Sequence, residues 1–150
     1  MRTLRLIGLA IVAIVMSVNF TACSDDDDDF NISDLEGLWE GVTSEFEEKE
    51  NGQVVDQDDA ENIDDQRIRF KSDGTITSYY KSGSNWIVED EGTWSVKNGK
   101  IYMRADGEED VAKILELNPQ TLVIEISESG VEDGISYSYY EKDTYKKITE

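Results

Sequence analysis

Cys23 is the only thiol in the 150 residues, no histidine accompanies it, and 34 aspartates and glutamates stand against 14 lysines and arginines. That inventory decides which chemistries are open. Without histidine there is no serine or cysteine triad of the usual kind, no imidazole base, and no donor set for most zinc, copper or haem sites. What remains for catalysis is a carboxylate pair working as acid and base, as in glycoside hydrolysis. No two acids are singled out by their setting, so neither an enzyme nor a cofactor is expected.

The densest acidic stretch, Asp56, Asp58, Asp59 and Glu61 followed by Asp64 and Asp65, invites a test for calcium. Counted from Asp56, the fifth ligand position of a twelve-residue calcium loop falls on Ala60 and its turn glycine on Glu61, so the pattern fails. The segment from Lys49 to Asn62 is expected to be a solvated acidic loop joining the first two strands, with no metal. Arg67, Arg69 and Lys71 alternate with Ile68 and Phe70 and so share the opposite strand face. Pairing with acids on adjacent strands is the ordinary reading of these three. A docking site for an acidic glycan or protein is the alternative.

At the N-terminus Arg2 and Arg5 precede an uncharged run from Leu6 to Met16, about half the ~20 residues that span a bilayer as a helix. Residues 1–22 therefore read as an export signal. The segment Phe20-Thr21-Ala22-Cys23 resembles the lipobox of bacterial lipoproteins, with phenylalanine in place of the usual leucine. The resemblance implies that Cys23 becomes the first residue of the mature chain and carries acyl groups that anchor it to a membrane. Residues 23–30 then form a tether, since Ser24 and the five aspartates Asp25 to Asp29 cannot bury anything. A serine with acids directly after the acylated cysteine is similar to the Bacteroidetes signal for the outer face of the outer membrane. Localisation at the bacterial outer membrane, facing outward, is the expectation.

Loss of residues 1–22 removes two basic and no acidic side chains, leaving 12 and 34 and a formal charge of −22. Such a surface repels nucleic acid. With no second cysteine, no disulfide can form within the chain, and the fold must rest on its own core.

Residues 31–150 are long enough for one domain and show period-two alternation between turn signals, the mark of antiparallel sheet. Asn98-Gly99 between two alternating runs predicts a two-residue turn that pairs Val96 with Ile101 and Trp94 with Met103. A three-residue loop, Ser72-Asp73-Gly74, sets Phe70 opposite Ile76 and gathers Ile68, Phe70, Ile76 and Tyr80 on one face. Asn118-Pro119 opens a turn expected to match Leu115 and Leu117 with Leu122 and Ile124. With further strands over 38–48, around Trp86 and over 135–142, about eight strands result. An all-β, eight-stranded up-and-down antiparallel barrel leaves no edge exposed; a sandwich is the competitor. Ser33 and Glu36 have capping-box spacing with Ile32 as staple, predicting a helical turn before the first strand.

Leu35-x-Gly37-x-Trp39, Phe70-x-x-Asp73-Gly74-Thr75, Gly92-Thr93-Trp94, the leucines near Asn118-Pro119 and the tyrosine-rich last strand together resemble the lipocalin-like domain of small Bacteroidetes lipoproteins, a calycin-like barrel. Gly37 and Trp39 carry the structural motif. The resemblance implies a late basic residue covering Trp39, for which Lys142 is the candidate, while the mid-barrel Thr-Asp-x-x-Tyr of true lipocalins is absent. It also implies a binding role. Trp39, Trp86, Trp94, Tyr80, Tyr137 and Tyr139 are expected to face the interior, and Tyr80, Trp94, Met103, Tyr137 and Tyr139 to line a ligand cavity. The expected ligand is a small, mostly apolar molecule, uncharged or weakly cationic. The alternative is a non-catalytic interaction module whose outer face meets a glycan or a partner protein.

Overall fold

A computed structural model describes residues 30–149; the segment expected to be an export signal, Cys23 and the expected aspartate tether lie outside the described residues. Nine strands follow a single 3-10 turn at Ile32–Asp34: β1 Gly37–Glu50, β2 Gln53–Asn62, β3 Gln66–Phe70, β4 Thr75–Ser82, β5 Asn85–Lys97, β6 Lys100–Ala105, β7 Glu108–Leu117, β8 Thr121–Glu132 and β9 Ile135–Ile148. All pairings are antiparallel: β1 pairs β2 and β3, the strands from β3 onward pair their sequence neighbours, and β9 closes on β1. The result is a closed, all-β, eight-stranded antiparallel barrel. Nine strands fill eight positions because β2 and β3 pair successive stretches of the same edge of β1. β2 takes Thr43–Glu50 and β3 takes Gly37–Glu40.

The turn chemistry accounts for the meander. Asn51-Gly52, Asn98-Gly99, Asp106-Gly107 and Asp133-Gly134 are all two-residue turns with both φ angles positive, the geometry that suits twisted hairpins. The expected registers over Asn98-Gly99 and Ser72-Gly74 are observed, with Val96 opposite Ile101, Trp94 opposite Met103 and Phe70 opposite Ile76. Around Asn118-Pro119, Leu117 does face Leu122, but an irregularity between Ile114 and Glu116 brings Ile114, not Leu115, opposite Ile124. Ile114 is buried and Leu115 lies exposed. A bulge shifts alternation by one residue, which a reading by strict period two does not register.

Two further expectations are corrected. The stretch assigned to a loop from Lys49 to Asn62 is mostly strand β2, with only Asn51 and Gly52 turning. Asn-Gly there signals a hairpin, and the charges that argued for a loop are tolerated because β2 lies exposed at the barrel rim. The capping box at Ser33 and Glu36 does not form either. Asn31 occupies the cap position without a side-chain cap bond and instead accepts from the Ser33 hydroxyl at 2.9 Å.

The apolar core fills one end of the barrel. Leu35, Trp39, Ile68, Phe70, Ile101, Ala112, Ile114, Leu122, Ile124 and Tyr145 pack together, with Ile76, Trp94, Val96, Met103 and Leu117 against them. At ~25 cal/mol per Å² of apolar surface removed from water, this cluster is the dominant stabilising contribution in a chain without disulfides.

Candidate functional site

The two ends of the barrel differ in chemistry because the inward positions change character along each strand. At the end holding the N-terminal turn, the Trp39 indole N–H donates to the Leu35 carbonyl at 2.8 Å. The Lys147 ammonium lies 4.9 Å from the Trp39 ring centre and donates to the Asp34 carbonyl at 2.6 Å. Lys147, not Lys142, therefore covers the first-strand tryptophan. Lys142 falls on the outer face, paired with Glu45 at 2.8 Å, because even-numbered residues of β9 point away from the core that holds Tyr145. Phe70 meets Trp94 edge to face at 5.4 Å, and the Trp94 N–H donates to the Lys71 carbonyl at 3.0 Å. This end is sealed by aromatic packing.

The other end opens, and β9 shows the gradient most clearly. Its inward positions run Tyr137, Tyr139, Glu141, Asp143, Tyr145 from rim to core, half-buried for the first three and buried for the last two. Tyr137 lies against Gly130 on β8, where an added Cβ would come within 2.6 Å of the phenol oxygen; a larger residue there would displace the ring. The Tyr139 hydroxyl donates to Glu141 at 2.6 Å, and the Ser44 hydroxyl reaches the other Glu141 oxygen at 3.4 Å. The Tyr145 hydroxyl donates to Asp143 at 3.2 Å. Burial, then the charge of Glu141, pushes the Asp143 carboxyl up to about 7, against smaller opposing effects of the Ser44 and Tyr145 hydroxyls. Burial and the bond to Glu141 push the Tyr139 phenol up as well, so it remains a donor at any physiological pH.

The acidity continues around the mouth. Burial raises Glu89, with Asp90 and Asp65 adding to the effect. Asp110 is raised in the same way, with Glu108 and Asp90 nearby. Among the described residues no three acids converge as metal ligands. The mouth is thus a ring of carboxylates and phenols above an apolar floor.

The five candidate cavity residues divide between these levels. Trp94 and Met103, opposite one another on β5 and β6, pack against the core and belong to the floor. Tyr137 and Tyr139 stand at the mouth. Tyr80 shares the inward face of β4 with Ile76 and is 41% exposed at the rim. Met103 faces Asp110 across β6 and β7, which sets an acid beside the floor.

Trp86 does not face the interior. It lies opposite Lys81 on the outer face, where the Arg67 guanidinium stacks 3.9 Å from its ring centre. Leu38, Arg67, Arg69, Tyr79 and Trp86 line an open groove of about 220 Å³ there. Arg67 also pairs with Glu40, as expected of the basic run, and Lys146 joins Glu40 at 3.0 Å. Burial alone would raise Glu40, but its bonds to Arg67 and Lys146 outweigh that and hold it below its ordinary value. The reading of Trp86 fails because an irregularity between Ser78 and Tyr79 in the β4–β5 ladder reverses the alternation of β5 before Gly92.

A sealed barrel whose first-strand tryptophan is roofed by a short turn and by a lysine of the last strand matches a known family. Its lipocalin-like domain profile aligns with residues 35–124. The chain belongs to the lipocalin-like domain family. Among solved structures, this lipocalin-like chain is similar to a lipocalin-like protein from Bacteroides uniformis, at 16% identity and a TM-score of 0.52, covering 77% of this chain and 99% of that one. An uncharacterized protein from Bacteroides eggerthii gives 14% identity and the same TM-score, over 75% and 98% of the two chains. A bovine odorant binding protein in complex with undecanal follows at 19% identity and a TM-score of 0.41, over 81% and 76%. No curated protein matches the chain.

Asp143 and Glu141 were not legible as site residues of this lipocalin-like barrel. The signal that could have found them is Tyr137-x-Tyr139-x-Glu141-x-Asp143-x-Tyr145, two acids at inward spacing between tyrosines that require enclosure.

Proposed function

We propose that the protein is a lipoprotein anchored to the outer membrane through Cys23, whose lipocalin-like barrel binds a small, mostly apolar molecule at its open end. Eight-stranded barrels have an interior that side chains fill or that holds one small ligand. The observation that carries the reading is the asymmetry of the two ends. One is closed by Trp39, Lys147 and Trp94, whereas the other presents Tyr80, Tyr137 and Tyr139 around an apolar floor of Trp94 and Met103. Apolar walls with a few placed polar groups are the usual make-up of a small-molecule site. The fold supports binding without catalysis.

Titration with the uncharged fluorophore N-phenyl-1-naphthylamine tests the binding site. Saturable enhancement that weakens in Tyr139→Ala supports it; absence of any enhancement sinks it. Anchoring is tested separately by Cys23→Ser, which should release the protein to the soluble fraction. Protease digestion of intact cells should remove the barrel if it faces outward.

A second reading is favoured by the outer groove. Arg67 stacked on Trp86, with Arg69 beside it, is a basic and aromatic patch on a strongly acidic protein, suited to an acidic glycan or partner protein. Arg67→Glu with Arg69→Glu should then abolish capture of that partner, while Tyr139→Ala changes nothing.

A further inference from the structure

Among the described residues Asp143 is the one buried acid, 5% exposed, and its Oδ1 has no hydrogen-bond partner. Orphaned buried carboxylate oxygens are uncommon and call for a reason. Among the described residues, none of those facing it on the paired strands carries a positive charge. Ser44 faces Asp143 from β1, Ile124 from β8, and Glu141 and Tyr145 flank it on β9, while Glu61 of β2 adds a further negative field. The basic residues of β9 are engaged elsewhere: Lys142 with Glu45, Lys146 with Glu40, and Lys147 at the sealed end.

We propose that the throat between Tyr139 and Tyr145 receives the ammonium head of a small organic amine, with Asp143 and Glu141 as its counter-charges. The proposal deepens the small-molecule reading above and rests on it. An ammonium needs only two or three acceptors, which the free oxygen of Asp143 and the accepting oxygens of Glu141 provide. A metal ion needs a converging set of carboxylates that the described residues do not form. The faces of Tyr137 and Tyr139 suit a cation as well as an apolar chain, since aromatic rings attract both. Burial disfavours the Asp143 carboxylate, and an arriving cation offsets that cost, so binding near neutral pH should release a proton.

The test is isothermal titration of the full chain at pH 7 and moderate salt with octylamine, octanol and octanoate. Octylamine should bind at least tenfold more tightly than octanol, with octanoate weakest and with proton release visible as a dependence of the heat on buffer. Asp143→Asn should equalise amine and alcohol while octanol binding persists, which shows that the variant is folded. Glu141→Gln, at a half-buried position, should also lower the preference, and Asp58→Asn on the exposed strand β2 should leave it unchanged. Equal binding of amine and alcohol by the unaltered protein overturns the ammonium site but leaves the carrier reading intact. Failure of all three probes removes both. A preference retained in both Asp143→Asn and Glu141→Gln, or lost equally in Asp58→Asn, shows only diffuse surface attraction and overturns the site.

Discussion

The Lys147 ammonium and the Trp39 ring lie 4.9 Å apart, and the same nitrogen holds the Asp34 carbonyl, so one lysine of the last strand ties the first strand and the N-terminal turn together. Trp39→Ala should cost about 3–5 kcal/mol through loss of buried surface and the cavity left behind. Lys147→Met keeps the chain length and removes the charge, and should cost about 1–2 kcal/mol. Urea midpoints measured for both variants check the order. A Lys147→Met protein as stable as the parent would show that the roof over Trp39 is only a surface contact.

Asp143 makes stability depend on pH in an identifiable direction. Burial and the charge of Glu141 push its carboxyl up to about 7 in the folded chain, above the ordinary value of an unfolded aspartate, so the folded chain holds the proton more tightly. The stabilisation is fully present below pH ~4 and is lost as pH rises through about 7. Asp143→Asn should flatten this part of the curve and raise stability at pH 8 by on the order of a few kcal/mol. Thermal unfolding of both proteins between pH 4 and 8 gives the comparison, and parallel curves would mean that Asp143 is charged in the native state throughout.

Much of the barrel could be read from the chain because its hairpins are local. Asn98-Gly99 and Ser72-Asp73-Gly74 each fix a register within a dozen residues, and alternation then sorts Trp94, Met103, Phe70 and Ile76 to the core without reference to distant strands. What could not be read lies where alternation slips or where the partner is remote. The irregularities near Ser78 and Leu115 turned Trp86 outward and exchanged Leu115 for Ile114. Lys147 and Lys142 are both late lysines, and only the pairing of β9 with β1 decides which one reaches Trp39. The acids of the throat were hidden by abundance, since among 34 carboxylates nothing local marks Asp143 as buried.

Gly92 is held by a close crossing. A Cβ at this position would stand 2.0 Å from the Arg104 carbonyl oxygen, a backbone atom that cannot swing aside. Gly92→Ala should destabilise by at least ~1–3 kcal/mol through overpacking and should disturb the β5–β6 ladder next to Trp94. Amide exchange at Trp94 and Arg104 would report the loss. Unchanged protection there would mean that the strands separate without cost.

The Arg67, Glu40 and Trp86 cluster predicts a modest structural effect and a larger recognition effect. The pair is part-buried and the stack is close, so Arg67→Met should lower stability by about 1–2 kcal/mol and change the emission of Trp86. Fluorescence during urea unfolding measures both. A variant with parental stability and emission would show that the stack does not persist in solution.

The central claim is that the open end of this barrel holds a guest. Native mass spectrometry of the protein isolated from its own cells tests it most directly. The account expects a bound small molecule, released on unfolding and reduced in Tyr139→Ala. A spectrum showing only the covalent protein, under conditions that preserve added octylamine or N-phenyl-1-naphthylamine as a complex, would contradict it.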